Sequence, residues 1–213
     1  MAAPHPAPPK LGCQLADLDE QEGGEGAESR QGRHWVRWVA IGVAVPLALF
    51  LWVLATRDPA GTRAVDSPLL GKAAPPIAGK TVDGQAVDLT QYRGKWVLVN
   101  FFATWCVPCR DEHPDLVNFY ARHAAANDTV VLGVVYDDSA DAVRSFVQKA
   151  GGTWPMVIDP DSQIALDYGV SGVPESYLIS PGGSVAAKVI GGIQVDAMDA
   201  LLDKVKASTP PGA

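Results

Sequence analysis

Cysteine is scarce in this chain of 213 residues, which holds only Cys13, Cys106 and Cys109. Three cysteines cannot staple a disulfide scaffold, and one close pair with no second Cys or Cys/His pair cannot complete a zinc site. Histidine is nearly as rare, with His5, His34, His113 and His123 making up the whole set. Basic charge is not in surplus: the formal net charge is −7, the acidic excess is spread along the chain, and no basic stripe points to nucleic acid. Internal repeats are absent as well. What is present in quantity is apolar residue content, at 47%, enough for one packed domain with accessory segments.

Residues 1–34 are rich in Pro, Gly, Ala and Glu and poor in large apolar side chains, so they cannot offset the entropy of ordering and read as a disordered tail. Leu11-Gly12-Cys13 has the form of a lipoprotein cleavage box, but the residues before it are proline-rich and polar, and Cys13 reads as an unmodified thiol. Trp38 to Thr56 carries no charge, and at about 1.5 Å per residue it approaches the roughly 30 Å of a hydrocarbon core. The run exceeds the usual signal-peptide core of roughly 7 to 15 residues, so residues 35–57 are expected to be a retained transmembrane anchor touching lipid through 38–56. Pro46 is tolerable within such a helix, and Trp35, Trp38 and Trp52 lie near its ends, where interfacial aromatics are favoured. Arg30, Arg33 and Arg37 precede the uncharged run, whereas Arg57 and Arg63 beyond it are interleaved with Asp58 and Asp66. The positive-inside rule then places the N-terminus in the cytoplasm and everything after the anchor outside. Residues 58–76, punctuated by Gly and Pro, read as a linker.

From 77 to 208 strand and helix signals alternate, with 209–213 as a flexible end. Asp83-Gly84 marks a hairpin turn. Trp96 to Phe102 (WVLVNFF) and Thr129 to Tyr136 (TVVLGVVY) are near-continuous apolar runs suited to strands buried on both faces. Helical spacing follows from about 106 to 126, from 141 to 150 and from 196 to 206. A short strand is expected near 154–158, and a hairpin over 176–180 and 184–190 around Pro181-Gly182-Gly183. The pattern predicts an α/β layered domain with a mixed sheet.

Cys106-Val107-Pro108-Cys109 lies between a buried strand and the start of a helix. There the unsatisfied N–H groups and the positive dipole end favour a thiolate at the first cysteine. Cys106 is therefore the candidate nucleophile, and Cys109, one turn on, can attack the mixed disulfide to release substrate. Pro108 has no N–H to lose at that position. Arg110 stands where c-type haem attachment would need histidine. Neither a metal nor a cofactor is expected.

Phe101 to Arg110 (FFATWCVPCR) resembles the active-site segment of the thioredoxin superfamily. Pro114, five residues after Cys109, is similar to the proline that kinks the active-site helix in that family, and Gly172-Val173-Pro174 is similar to its cis-proline loop. The resemblance implies a thioredoxin-like fold with an N-terminal β-hairpin extension, preceded by the transmembrane helix. It also implies that Pro174 packs on the disulfide and that the backbone of Val173 pairs with substrate. Trp105, Val107 and Pro108 complete the expected substrate-binding set.

Asn100 stands where thioredoxin carries a buried aspartate that takes the proton of the second cysteine. The candidate replacements are Glu112, three residues after Cys109, and Glu175, directly after Pro174, if burial raises either toward neutrality. Glu175 is favoured by its place in the loop against the active site. Tyr168 to Ile179 (YGVSGVPESYLI), Glu112 and Tyr92-Arg93-Gly94-Lys95 resemble the DsbE/CcmG proteins of cytochrome c maturation and their relatives ResA and TlpA. This implies a reductase that opens the disulfide of the haem-binding cysteines of an apocytochrome c, or of another exported thiol protein. Such a reductase is itself re-reduced by a membrane thiol transporter of DsbD/CcdA type. Val107 is neutral where ResA is acidic. Three alternatives stay open: a dithiol oxidant, a broad TlpA-like reductase and a Sco-type copper chaperone. The last uses a C-x-x-x-C and a distant histidine, whereas His113 and His123 here read as a helix-surface and a packed residue. Peroxidase action lacks its Pro-x-x-x-Thr/Ser-x-x-Cys segment.

Overall fold

The computed structural model describes residues 31–55 and 62–210. The chain divides into two units, Met1–Arg57 and Asp58–Ala213. In the first, α1 spans Gln31–Ala55, and its Trp35–Val53 stretch is long and apolar enough to cross a membrane. The helix starts within the stretch expected to be disordered, at Gln31 rather than Trp35. The remainder of that expected tail, residues 1–30, lies outside the described residues, as do the end of the expected anchor, Thr56 and Arg57, and residues 211–213.

The second unit is a six-stranded mixed sheet with helices on both faces. In chain order its elements are β1 (Arg63–Val65), β2 (Ala78–Lys80), β3 (Ala86–Asp88), a 3-10 turn (Leu89–Tyr92), β4 (Trp96–Phe102) and α2 (Val107–Ala126). There follow β5 (Thr129–Tyr136), α3 (Ala140–Ala150), β6 (Met156–Asp159), α4 (Gln163–Tyr168), β7 (Glu175–Ile179), β8 (Val185–Ile190) and α5 (Val195–Ser208). The sheet order is β1-β8-β7-β4-β5-β6, with β4, β5 and β6 parallel and β7, β8 and β1 antiparallel. All seven residues of β4 are buried because it is flanked by two strands and covered on both faces, as its near-continuous apolar run demands.

The pleat sorts the core into two layers. Trp96, Leu98 and Phe102 of β4 share one with Cys106, Cys109, Leu116 and Phe119 of the α2 region and Met198 and Leu202 of α5. Val97, Val99 and Phe101 face the other, with Ala165 and Tyr168 of α4, Tyr177 and Ile179 of β7, and Ile77, Val87 and Leu89. The β2–β3 hairpin turns where Asp83-Gly84 predicts: Gly84 adopts φ 80° and its N–H donates to the Thr81 carbonyl at 2.8 Å. That positive φ is what the glycine supplies to a three-residue hairpin loop.

The expected linker needs correction. Arg63–Val65 pairs with Ile190–Lys188 as an edge strand, and Gly71 N–H donates to the Val185 carbonyl at 2.9 Å. Part of 58–76 is therefore sheet, held by backbone hydrogen bonds that residue type does not announce.

Candidate active site

α2 begins at the active-site pair. Cys106 is its N-cap, in extended conformation, and its Sγ accepts the Cys109 N–H at 3.1 Å. The two sulfurs are joined as a disulfide of 2.11 Å. Both cysteines are nearly buried, so access comes from the rim, where Trp105 and Val107 are more than half exposed. Pro108 lies in the first turn of the helix. The Val173-Pro174 bond is cis, and the Val173 carbonyl oxygen lies 3.5 Å from Cys106 Sγ. The loop over 172–174 is thus brought against the first cysteine, with Val173 partly exposed beside it.

The segment before the helix is anchored from the end of β5. Asp138 Oδ2 accepts from the Thr104 N–H at 2.7 Å and from its hydroxyl, and the Asp137 carbonyl accepts Trp105 Nε1 at 3.0 Å. Neither aspartate is marked by the cysteine motif. Their signal is topological, since parallel β4 and β5 end on the same side of the sheet and the loops that follow them meet there.

Below the cysteines is a buried polar pocket. Glu112 is one turn beyond Cys109 on the inner side of α2 and is 3% exposed. Its Oε1 accepts Asn100 Nδ2 at 3.0 Å and its Oε2 accepts the Ile193 N–H at 2.7 Å. Asn100 also donates to Ser176 Oγ at 3.0 Å, its cross-strand partner on β7. Burial pushes the Glu112 carboxyl from 4.5 up to about 7; the Ile193 and Asn100 donors pull the other way, and Asp115 adds a smaller upward push. Such a group takes up and releases a proton near neutral pH.

Glu175 occupies a different setting. It is 1% exposed, but alternation along β7 turns it away from Asn100 and toward the layer of Tyr168 and Tyr177, across the sheet from the cysteines. Its Oε2 is 2.8 Å from Lys188 Nζ, and its Oε1 accepts from the Ser171 N–H and hydroxyl at 3.0 and 2.6 Å.

His113 and His123 are structural. His113, expected on the helix surface, is instead buried: its Nε2 donates to the Gly151 carbonyl at 2.9 Å, its ring packs on Phe146 and Trp154, and burial lowers its pKa. His123 packs on Phe119 and bridges Asp128 and Asp199 at 2.8 and 3.0 Å. Among the described residues no three His, Cys, Asp or Glu side chains cluster as a metal site.

A disulfide at a helix start, against a cis-proline and over a buried acid, is a redox arrangement, and the comparisons agree with it. The AhpC/TSA family model matches residues 70–188. The chain belongs to the AhpC/TSA family. Within it, the chain is 34% identical over 128 residues to the thiol-disulfide oxidoreductase ResA of Bacillus subtilis, covering 60% of this chain and 70% of that one. It is 31% identical over 149 residues to the thiol:disulfide interchange protein HelX of Rhodobacter capsulatus, covering 68% and 82%. A solved thiol:disulfide interchange protein of the thioredoxin family from Chlorobium tepidum superposes with a TM-score of 0.58 at 27% identity, covering 66% of this chain and 99% of that one. This member of the family has the thioredoxin-like fold and is a thiol-disulfide oxidoreductase.

Proposed function

We propose that the chain is an extracytoplasmic reductase of cytochrome c maturation, held to the membrane by α1 with its N-terminus in the cytoplasm. The Cys106 thiolate attacks one sulfur of the disulfide in a haem-binding C-x-x-C-H segment of apocytochrome c and forms a mixed disulfide. Cys109 then attacks Cys106 Sγ, the substrate leaves as a dithiol, and the Cys106–Cys109 disulfide closes. Two electrons and two protons pass to the substrate in sum. A membrane thiol transporter of DsbD/CcdA type returns the dithiol form.

Glu112 is the proton acceptor for Cys109 in this reading. The observation that carries the assignment is its pocket: a carboxyl held near 7, one helical turn from Cys109, in the layer that contains both sulfurs. Glu175 faces the other layer and is compensated by Lys188, so its contribution is to the loop rather than to proton transfer. Val173 offers the backbone edge for substrate, Pro174 the wall beside the disulfide, and Trp105, Val107 and Pro108 the exposed rim.

A Cys109→Ala variant should stall as a mixed disulfide through Cys106, and apocytochrome c should dominate the trapped species. A broad spread of exported proteins would overturn the narrow substrate claim in favour of a general reductase. A potential near about −120 mV, that of a strong disulfide donor, would overturn reduction altogether.

A further inference from the structure

The loop that bears Val173 has few ties to the domain. Ser171 and Gly172 are exposed, and beyond them the loop is held by a short set of hydrogen bonds. Val170 N–H donates to the Ala165 carbonyl at 2.9 Å, and the Pro174 carbonyl accepts from Gly191 at 3.1 Å. Gly169 N–H also donates to the Leu166 carbonyl at 2.9 Å and the Val173 carbonyl lies 3.5 Å from Cys106 Sγ, while three further hydrogen bonds converge on one ion pair. Ser171 donates twice to Glu175 Oε1, while the Gly169 carbonyl accepts Lys188 Nζ at 3.1 Å. Lys188 Nζ is at the same time 2.8 Å from Glu175 Oε2 and 5.3 Å from the centre of the Tyr177 ring.

An ammonium has three protons to satisfy, and here a carboxylate, a carbonyl and an aromatic face are set around it. Lys188 is 8% exposed, on β8 opposite Tyr177 of β7 and beside Val65 of β1. A buried lysine at this site is costly unless fully partnered, and an apolar residue would fill the layer at lower cost. What the lysine adds over an apolar side chain is a direct bond to the loop from the far face of the sheet.

We propose that Lys188 is a positioning residue: its ammonium, shared between Glu175 and the Gly169 carbonyl, fixes residues 169–174 and so sets where the Val173 backbone meets a peptide disulfide. The kinetic half of this inference rests on the functional reading above, since it needs a peptide that pairs along Val173. The ordering of the loop does not.

The test uses the full-length chain in detergent and an oxidised peptide carrying a C-x-x-C-H segment. Lys188→Met is expected to raise KM for the peptide at least tenfold, with a change in kcat below about threefold. In the double variant Lys188→Met/Glu175→Gln, which leaves no unpaired buried charge and keeps most of the global stability, amide hydrogen exchange over 169–173 should speed up at least tenfold more than that of β4 and β5. Lys188→Arg, which can still span the carboxylate and the carbonyl, should restore most of both. Should Lys188→Met fail to fold because Glu175 is left buried without a cation, the double variant Lys188→Met/Glu175→Gln removes both charges and should give the same loosened loop and raised KM. A folded Lys188→Met or double variant with unchanged exchange over 169–173 overturns the proposal. So does a loss of protection in the double variant that is no greater over 169–173 than across the domain, or a fall in kcat without a rise in KM. Should the wild-type chain leave the peptide oxidised, the functional reading falls, and the exchange data alone decide the role of Lys188.

Discussion

Glu112 and Glu175 are both almost inaccessible to water, both lie near the active-site disulfide in sequence or in space, and both accept hydrogen bonds from backbone and side-chain donors. They differ in the face of the sheet they occupy and in whether a cation reaches them. Around Glu112 the donors are neutral, an amide side chain and a backbone N–H, and these offset only part of the burial; the carboxyl is left near 7. Glu175 has Lys188 at 2.8 Å. Burial alone therefore does not make an acid–base group. A buried carboxyl with neutral donors can exchange a proton near neutral pH, whereas one with a partnered cation serves as a structural anchor.

The largest expected effect comes from breaking the anchored side. Lys188→Met leaves an uncompensated buried carboxylate and should cost about 3–5 kcal/mol in urea unfolding at pH 7, with much of that recovered by adding Glu175→Gln. A loss no greater than that of an exposed lysine would erase the contrast between the two glutamates.

The next effect lies on the proton-exchanging side. Because the Glu112 carboxyl is raised from 4.5 to about 7, the folded protein holds a proton through that window that the unfolded chain has lost. Its contribution to stability is full below about 4.5 and is lost as pH rises through 7. At about 1.36 kcal/mol per pKa unit this amounts to ~3 kcal/mol between the two limits. Wild-type stability should fall by that amount relative to Glu112→Gln between pH 4.5 and 8. The inflection near 7 in the pH–rate profile of peptide reduction should also disappear in the variant. Parallel stability curves for the two proteins would place the titrating group elsewhere.

The smallest effect separates buried from exposed pairing. Arg122 bonds Asp196 and Asp199 at 3.0 and 2.6 Å, but its side chain is half exposed. Arg122→Ala should leave the urea midpoint indistinguishable from wild type, because solvent and salt screen such pairs.

How far these contrasts could be read from sequence depends on the range of the forces behind them. β4 and β5 are legible to the residue, since Trp96–Phe102 and Thr129–Tyr136 are near-continuous apolar runs with turn residues or charges at their ends. The Cys106–Cys109 pair is equally plain, because strand, motif and helix start are contiguous. β1 was hidden: Arg-Ala-Val has no periodicity, and its pairing with β8 is made by backbone atoms of residues more than a hundred positions away. α4, at six residues, is less than two turns long, too short for helical periodicity to show. The roles of the two glutamates were the least legible. Position along the chain favours Glu175, directly after Pro174, but the pleat of β7 sends its side chain to the far layer and leaves Ser176 facing Asn100. The deciding cation, Lys188, reaches it only through the β7–β8 register.

The central claim, that Glu112 and not Glu175 is the proton-exchanging acid of this oxidoreductase, is tested most directly by carboxyl carbon NMR of glutamate-labelled protein titrated from pH 4 to 9. The account predicts a single glutamate resonance with a midpoint near 7, absent in Glu112→Gln and retained in Glu175→Gln. A Glu112 midpoint in the ordinary range near about 4.3, or a neutral-range resonance that vanishes only with Glu175→Gln, would contradict it.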